Sequence, residues 1–336
     1  MTAAAAPVFD GHNDVLLRLR ARGGDDASRS FLDGDGAGHI DLPRARGGGL
    51  AGGLFAIFVA PEGDDGSAAN AMMHASSYDV PLPPALGLAH AQREVLAMVE
   101  LLARMEGESE RRLSVCRGVA EIGECMARGT LAAVLHLEGA EAIDPEFEML
   151  EHLHRAGLRS LGPVWSRPNP FGHGVPFRFP ATPDTGPGLT GPGRQLVREC
   201  NRLRMVVDLS HITERGFWDV AAITGSPLVA SHSNAHALCP HSRNLTDRQL
   251  AAIRESRGIV GVNFATMILR ADGRLDTETP LEQVLRHFDY LIAHLGEDGV
   301  GFGSDFDGAT IPQAIGDVTG LPASSRRCAR TATGMP

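Results

Sequence analysis

The sequence predicts a (β/α)8 TIM barrel, on three observations. About eight short apolar runs alternate with segments of helical periodicity. At 336 residues the chain suits one such barrel. Its chemistry-bearing residues fall at the C-terminal ends of the runs, where barrel enzymes carry their sites. A doubly wound sheet would place a glycine-rich phosphate turn after an early strand, and no Gly-x-Gly-x-x-Gly follows one.

The elements follow in order. Val8-Phe9-Asp10-Gly11-His12-Asn13-Asp14 opens as a short strand. Side chains two apart on an extended segment point the same way, so His12 and Asp14 can grip one ion. Residues 21–46, rich in Gly, Asp and Arg, read as a long loop. Residues 52–60 form a continuous apolar run ending at Pro61, as expected of a second strand covered on both faces. The stretch 64–84 is polar and proline-bounded, and helical spacing runs over 86–105 and again over 119–128. The third strand, 131–138, delivers Glu138 into a turn at Gly139.

A helix around 146–156 leads to a fourth strand, 158–165, weakened by Gly162 and Pro163. Residues 166–192 carry seven prolines and His173 within Phe171-Gly-His-Gly174. That is too long for a plain connector, so a functional loop is expected. Helices at 193–203, 214–222, 246–257 and 281–295 then alternate with strands at 205–211, 227–233, 258–264 and 300–305. These strands bring His211, His232 and Asp305 to the same end of the barrel.

Composition narrows the chemistry. Hydrophobic residues make up 43% of the chain, enough for a full core, and the net charge of −10 argues for a small-molecule substrate rather than a nucleic acid. Lysine is absent: all 31 Lys+Arg residues are arginine. Schiff-base catalysis, a phosphate-loop lysine and a carboxylated-lysine metal bridge are therefore excluded, and a bridging ligand must be Asp or Glu. The five cysteines are scattered without a Cys-x-x-Cys pair, and residues 1–7 lack a charged, apolar leader. A cytoplasmic protein without a membrane anchor is expected.

His12, Asp14, Glu138, His211, His232 and Asp305 are too many groups for one tetrahedral ion. Two ions roughly 3.5–4 Å apart, sharing a carboxylate and a water, use them economically. Histidine and carboxylate donors suit zinc. His12, Asp14 and Glu138 are assigned to one ion and Glu138, His211 and His232 to the other, with Asp305 left for proton transfer.

Asp10-Gly-His-Asn-Asp14, His136-Leu-Glu-Gly139, Asp208-Leu-Ser-His211, Ser231-His-Ser233, Ser242-Arg-Asn244, Val262-Asn-Phe264 and Gly301-Phe-Gly-Ser-Asp-Phe-Asp-Gly308 stand in this order. Over about residues 8–321 the chain thereby resembles the membrane (renal) dipeptidase family of zinc peptidases. The resemblance implies a barrel with two Zn2+ bridged by Glu138, bound also by His211 and His232, with Asp305 catalytic. It implies hydrolysis of dipeptides, often with a C-terminal D-residue, and a homodimer. Arg243 matches the substrate-binding arginine, whose guanidinium can clamp a free carboxylate. An N-acyl amino acid or lactam amidohydrolase, or a catalytically impaired binding homologue, are the competing readings.

Two departures stand out. Where the family carries a loop histidine that stabilises the tetrahedral intermediate, this chain has Pro163, and His173 is the candidate substrate-binding substitute. After a single catalytic domain over 1–322, residues 323–336 are polar and without an apolar stripe. A truncated or altered terminus is expected, leaving the last helix absent and the seam between the eighth and first strands poorly covered.

Overall fold

The computed structural model describes residues 7–321 apart from positions 25, 62, 64 and 65. Eight parallel strands form a nearly closed barrel: β1 (Val8–Asn13), β2 (Leu50–Phe58), β3 (Leu131–Glu138), β4 (Leu158–Gly162), β5 (Val206–Val207), β6 (Val229–Ala230), β7 (Ile259–Val262) and β8 (Val300–Phe302). Their ladder order is β5-β4-β3-β2-β1-β8-β7-β6. A parallel bridge between Asp208 and Val229 brings β5 against β6. Outside lie α1 (Val15–Arg22), α2 (Leu88–Glu108), α3 (Val119–Arg128), α4 (Glu148–Ala156), α5 (Gly191–Arg202), α6 (Glu214–Ile223), α7 (Asp247–Glu255) and α8 (Leu281–Leu295).

The strands read as apolar runs because the barrel covers both faces. Every residue of β3 is buried, and its register with β2 runs from Gly52↔Ala132 to Phe58↔Glu138, so the glutamate emerges beside an aromatic ring. Close packing inside requires glycine: a Cβ on Gly11, Gly261 or Gly303 would come within 2.3 Å of the Ser231 carbonyl oxygen. The helices pack by apolar stripes. On α2 the buried residues Ala91, Val95, Met98, Leu102 and Met105 recur every three or four positions. Helix α7 starts at a capping box in which Thr246 and Gln249 bond each other's backbone N–H groups.

The structure departs from the sequence reading in several places. Residues 21–46 are not an unbroken loop. Helix α1 reaches into them, and a helix over Leu42–Gly47 starts where Asp41 accepts the Arg44 N–H at 2.8 Å. Helices this short show too few turns for periodicity to reveal them. Strands β5, β6 and β8 stop before His211, His232 and Asp305, because side chains take over from the ladder. Asp208 there accepts the backbone N–H of both Ser210 and Ser231. The 166–192 loop folds inward, with Arg167, Phe171 and Val175 buried and a small antiparallel pairing of Pro168–Asn169 with Gly172–His173.

The seam between β8 and β1 is closed by hydrogen bonds. Asp14 donates its N–H to the Phe306 carbonyl at 2.8 Å, and Asp305 donates its N–H to that of His12 at 3.0 Å. The expectation for residues 323–336 lies outside the described residues. Cys116, Cys125, Cys200 and Cys239 are free thiols. Among the described residues no helix is long and apolar enough to cross a membrane.

Candidate metal centre

Six side chains meet at the C-terminal mouth of the barrel. Glu138 Oε1 lies 3.2 Å from the Nε2 atoms of both His211 and His232, and 3.8 Å from that of His12. The two Nε2 atoms of His211 and His232 are 3.1 Å apart. His12 Nε2 lies 3.3 Å from Asp14 Oδ2. The donor atoms form two overlapping groups, each within 4.8 Å: His12, Glu138 and His232, and His12, Asp14 and Asp305. His12 therefore stands between both groups, and Asp305 sits among the potential ligands rather than apart from them.

Backbone geometry places these side chains. His211 and Asp305 both occupy the left-handed region, with φ of 67° and 60°, a conformation that costs a non-glycine residue energy and recurs at functional sites. It turns each side chain inward a few residues beyond a strand end.

A second layer orients the imidazoles. Ser231 donates its hydroxyl hydrogen to Asp208 Oδ2 at 2.6 Å, so at 2.8 Å from His232 Nδ1 it can only accept. His232 then carries its proton on Nδ1 and aims a lone pair from Nε2 at the cluster. The Ser166 hydroxyl stands 2.8 Å from His211 Nδ1. Asn263 Nδ2 donates to Asp305 Oδ2 at 2.8 Å, and Asp10 accepts from the backbone and hydroxyl of Ser304. The motif positions Asp208, Ser231, Asn263 and Asp10 were visible in the sequence, but nothing in it said which group each holds.

Burial dominates the electrostatics. It pushes the Glu138 carboxyl up to about 8, the His12 charge opposing and the Asp14 and Asp305 charges reinforcing. For His12 burial acts downward, yet Glu138 and Asp14 outweigh it and hold the imidazole up at about 10. His211 and His232 are pushed well below the ordinary imidazole range by burial, and then by Arg243 and His12. The cluster thus presents two neutral imidazoles together with one proton-holding imidazole among carboxylates.

This donor set fits a divalent ion. Among the described residues both ring nitrogens of His12 and Asp14 Oδ1 are buried without a hydrogen-bond partner, an arrangement that is costly unless something else binds those atoms. Converging lone pairs and carboxylates repel one another, and a cation between them removes the conflict.

Above the cluster opens a cavity of about 1100 Å³ whose wall includes Asp14, Glu138, His211, Arg243, Asn263 and Asp305. Phe58, Trp165 and Phe177 form part of its apolar side. His12 and His232 lie one layer deeper. Arg243 is buried, its Nη2 donating to the His232 carbonyl at 3.1 Å, and burial lowers it to about 10. His173 is not among the residues lining the cavity. It sits in the small hairpin opposite Pro168, its carbonyl accepting the Thr213 N–H. Pro163 instead offers its carbonyl to Asn169 Nδ2 at 2.8 Å.

A parallel barrel whose mouth gathers imidazoles and carboxylates around orphaned lone pairs is a metallohydrolase architecture. The chain belongs to the membrane dipeptidase family, peptidase family M19, whose profile matches residues 2–329. A metallo peptidase from Rhodobacter sphaeroides, solved with a phosphinate mimic of the dipeptide L-Ala-D-Ala, is 57% identical and superposes with a TM-score of 0.95, covering 99% of this chain and 94% of that one. The metallo peptidase called dipeptidase AC is 56% identical, with a TM-score of 0.94 and the same coverage. An uncharacterized protein in the pqqA 5' region of Klebsiella pneumoniae is 53% identical over 222 residues, 66% of this chain and 82% of its own length.

Proposed function

We propose that the protein is a zinc-dependent dipeptidase that hydrolyses the amide bond of free dipeptides, including those with a C-terminal D-residue. One observation carries the reading: the buried imidazole–carboxylate cluster and the buried guanidinium of Arg243 share one cavity. His12, Asp14 and Glu138 would hold one ion, and Glu138, His211 and His232 the other. Nitrogen and oxygen donors favour zinc. Divalent ions bound there polarise the scissile carbonyl and acidify a water.

The protein's own groups do the rest. Arg243 receives the free C-terminal carboxylate, which sets the position of the scissile bond and disfavours amides and longer chains. Asp305, fixed through Asn263, takes a proton from the attacking water and returns it to the leaving amine. Phe58 and Trp165 give the side chains of the substrate an apolar wall. Acceptance of a D-residue is supported by the dipeptide mimic bound to the Rhodobacter relative. Membership of the family supports a homodimer.

The test is metal analysis of purified protein together with a substrate panel. Two zinc ions per chain and release of free amino acids from dipeptides, L-Ala-D-Ala among them, are expected. Activity confined to N-acyl amino acids or lactams would overturn the substrate, and active protein devoid of transition metal would overturn the chemistry. Dipeptide binding without hydrolysis would mark a binding homologue.

A further inference from the structure

Arg167 is fully buried, an expensive place for a permanent cation. Its environment is specific. Nε donates to Glu141 Oε1 at 2.7 Å and Nη2 to the Val59 carbonyl at 2.6 Å. The guanidinium carbon lies 5.2 Å from the Phe58 ring centroid and 5.3 Å from that of Trp165, within cation–π range of both. Nη1 is buried without a hydrogen-bond partner.

These contacts span the ends of three neighbouring strands. Phe58 closes β2 and Val59 follows it. Glu141 follows Glu138 after β3 and folds back over Gly139, where an added Cβ would lie 2.3 Å from Glu141 Oε2. Trp165 and Ser166 follow β4, and Ser166 meets His211 Nδ1. A single side chain therefore touches the segment that carries Glu138 and two of the rings in the cavity's aromatic wall, Phe58 and Trp165, the latter next to the hydroxyl at His211. For stability alone, an apolar residue of similar volume would serve as well as a buried ion pair or better.

We propose that Arg167, held by Glu141, is a positioning residue: it fixes Glu138 and the Ser166–His211 pair relative to the Phe58–Trp165 wall of the substrate cavity. The inference rests on reading Glu138 and His211 as metal ligands. Its fork geometry matters as well as its charge, because Nε and Nη2 serve different strands.

The test uses Arg167→Lys, which keeps the charge and loses the fork, and Glu141→Gln, which is isosteric and loses the charge, each in zinc-loaded full-length protein. Trp218→Phe, a change at a half-buried ring on α6 beside Arg248 that gives up a hydrogen bond to Glu214, leaves Trp165 as the one tryptophan, because the chain contains only two, and serves as the reference background for both variants. Trp165 emission then reports the wall. Both variants are expected to lower kcat by about tenfold or more and weaken zinc retention on dialysis by about tenfold. The Trp165 emission maximum should shift while circular dichroism stays native.

Wild-type kcat, zinc retention and Trp165 emission in both folded variants would overturn the inference and leave the dipeptidase reading intact. A wild type that neither binds zinc nor cleaves dipeptides would instead overturn that reading. Should Arg167→Lys fail to fold, Glu141→Gln carries the same three readouts.

Discussion

Asn263 and Asp305 are joined by one hydrogen bond, Nδ2 to Oδ2 at 2.8 Å. The bond orients a carboxylate that the left-handed backbone at Asp305 has already turned toward the cluster. Because Asn263 Nδ2 also lies 3.5 Å from the His232 carbonyl, Asp305 is placed relative to the same strand end that carries a candidate metal ligand. A proton-transfer group needs this kind of constraint, because efficiency falls steeply when donor and acceptor drift out of reach.

Asp305→Asn keeps the shape and removes the base. The expected result is a fall in kcat of about 10²–10⁴-fold with KM little changed. Steady-state kinetics checks it, and metal analysis of the same sample separates proton transfer from ligation. Loss of a metal equivalent together with activity would place Asp305 among the ligands, as its grouping with His12 and Asp14 allows.

Arg243→Met removes the guanidinium while retaining bulk. Charge-assisted hydrogen bonds to a carboxylate contribute about 1.5–3 kcal/mol, so kcat/KM for a free dipeptide should drop roughly 10–100-fold. Hydrolysis of the corresponding dipeptide amide should hardly change. If the variant still prefers the free acid as strongly as wild type, Arg243 does not read the carboxylate.

Metal uptake should release protons. In the metal-free site burial raises the Glu138 carboxyl, and the Glu138 and Asp14 charges raise His12, so the His12–Glu138 pair holds a proton at pH 7. Binding an ion requires the pair to let it go. Zinc affinity should therefore rise between pH 6 and 8, and titration calorimetry in buffers of different ionisation enthalpy should report net proton release. Zinc binding independent of pH over that range would show that neither group is a ligand.

The eight strands and the residues at their ends were legible because a parallel barrel writes each strand as an apolar run and places function just beyond it. β3 and its Glu138 could be read residue by residue, since all eight positions are buried. Where the runs stop was not legible. At Asp208 and Ser231 the chain leaves the ladder for side-chain hydrogen bonds, and no hydrophobic periodicity records that exchange. Nor was Arg167, because an arginine in a proline-rich loop reads as solvated until the loop folds inward over it.

Acid stability tests a buried histidine that is not one of the six clustered side chains. His287 on α8 accepts the Ala235 N–H on Nδ1 at 3.2 Å and stands 3.0 Å from the Leu269 carbonyl through Nε2, so it is the neutral, Nε2-protonated tautomer that fits. Burial lowers it from the ordinary 6.5 to about 4. The unfolded chain then binds this proton more readily than the folded one between those values. Stability is fully present above about 6.5 and is lost as pH falls toward 4. The 2.5-unit difference between 6.5 and about 4 corresponds to about 3 kcal/mol. His136 and His241, lowered to about 4 and about 3 by burial, act in the same direction. His287→Gln should be less stable than wild type at pH 7, having exchanged a fitted imidazole for a flexible amide. Its urea midpoint should nevertheless fall less steeply from pH 6.5 to 4.5, because one titrating group is gone. Parallel midpoint-against-pH curves for the two proteins would show that His287 does not contribute to acid unfolding.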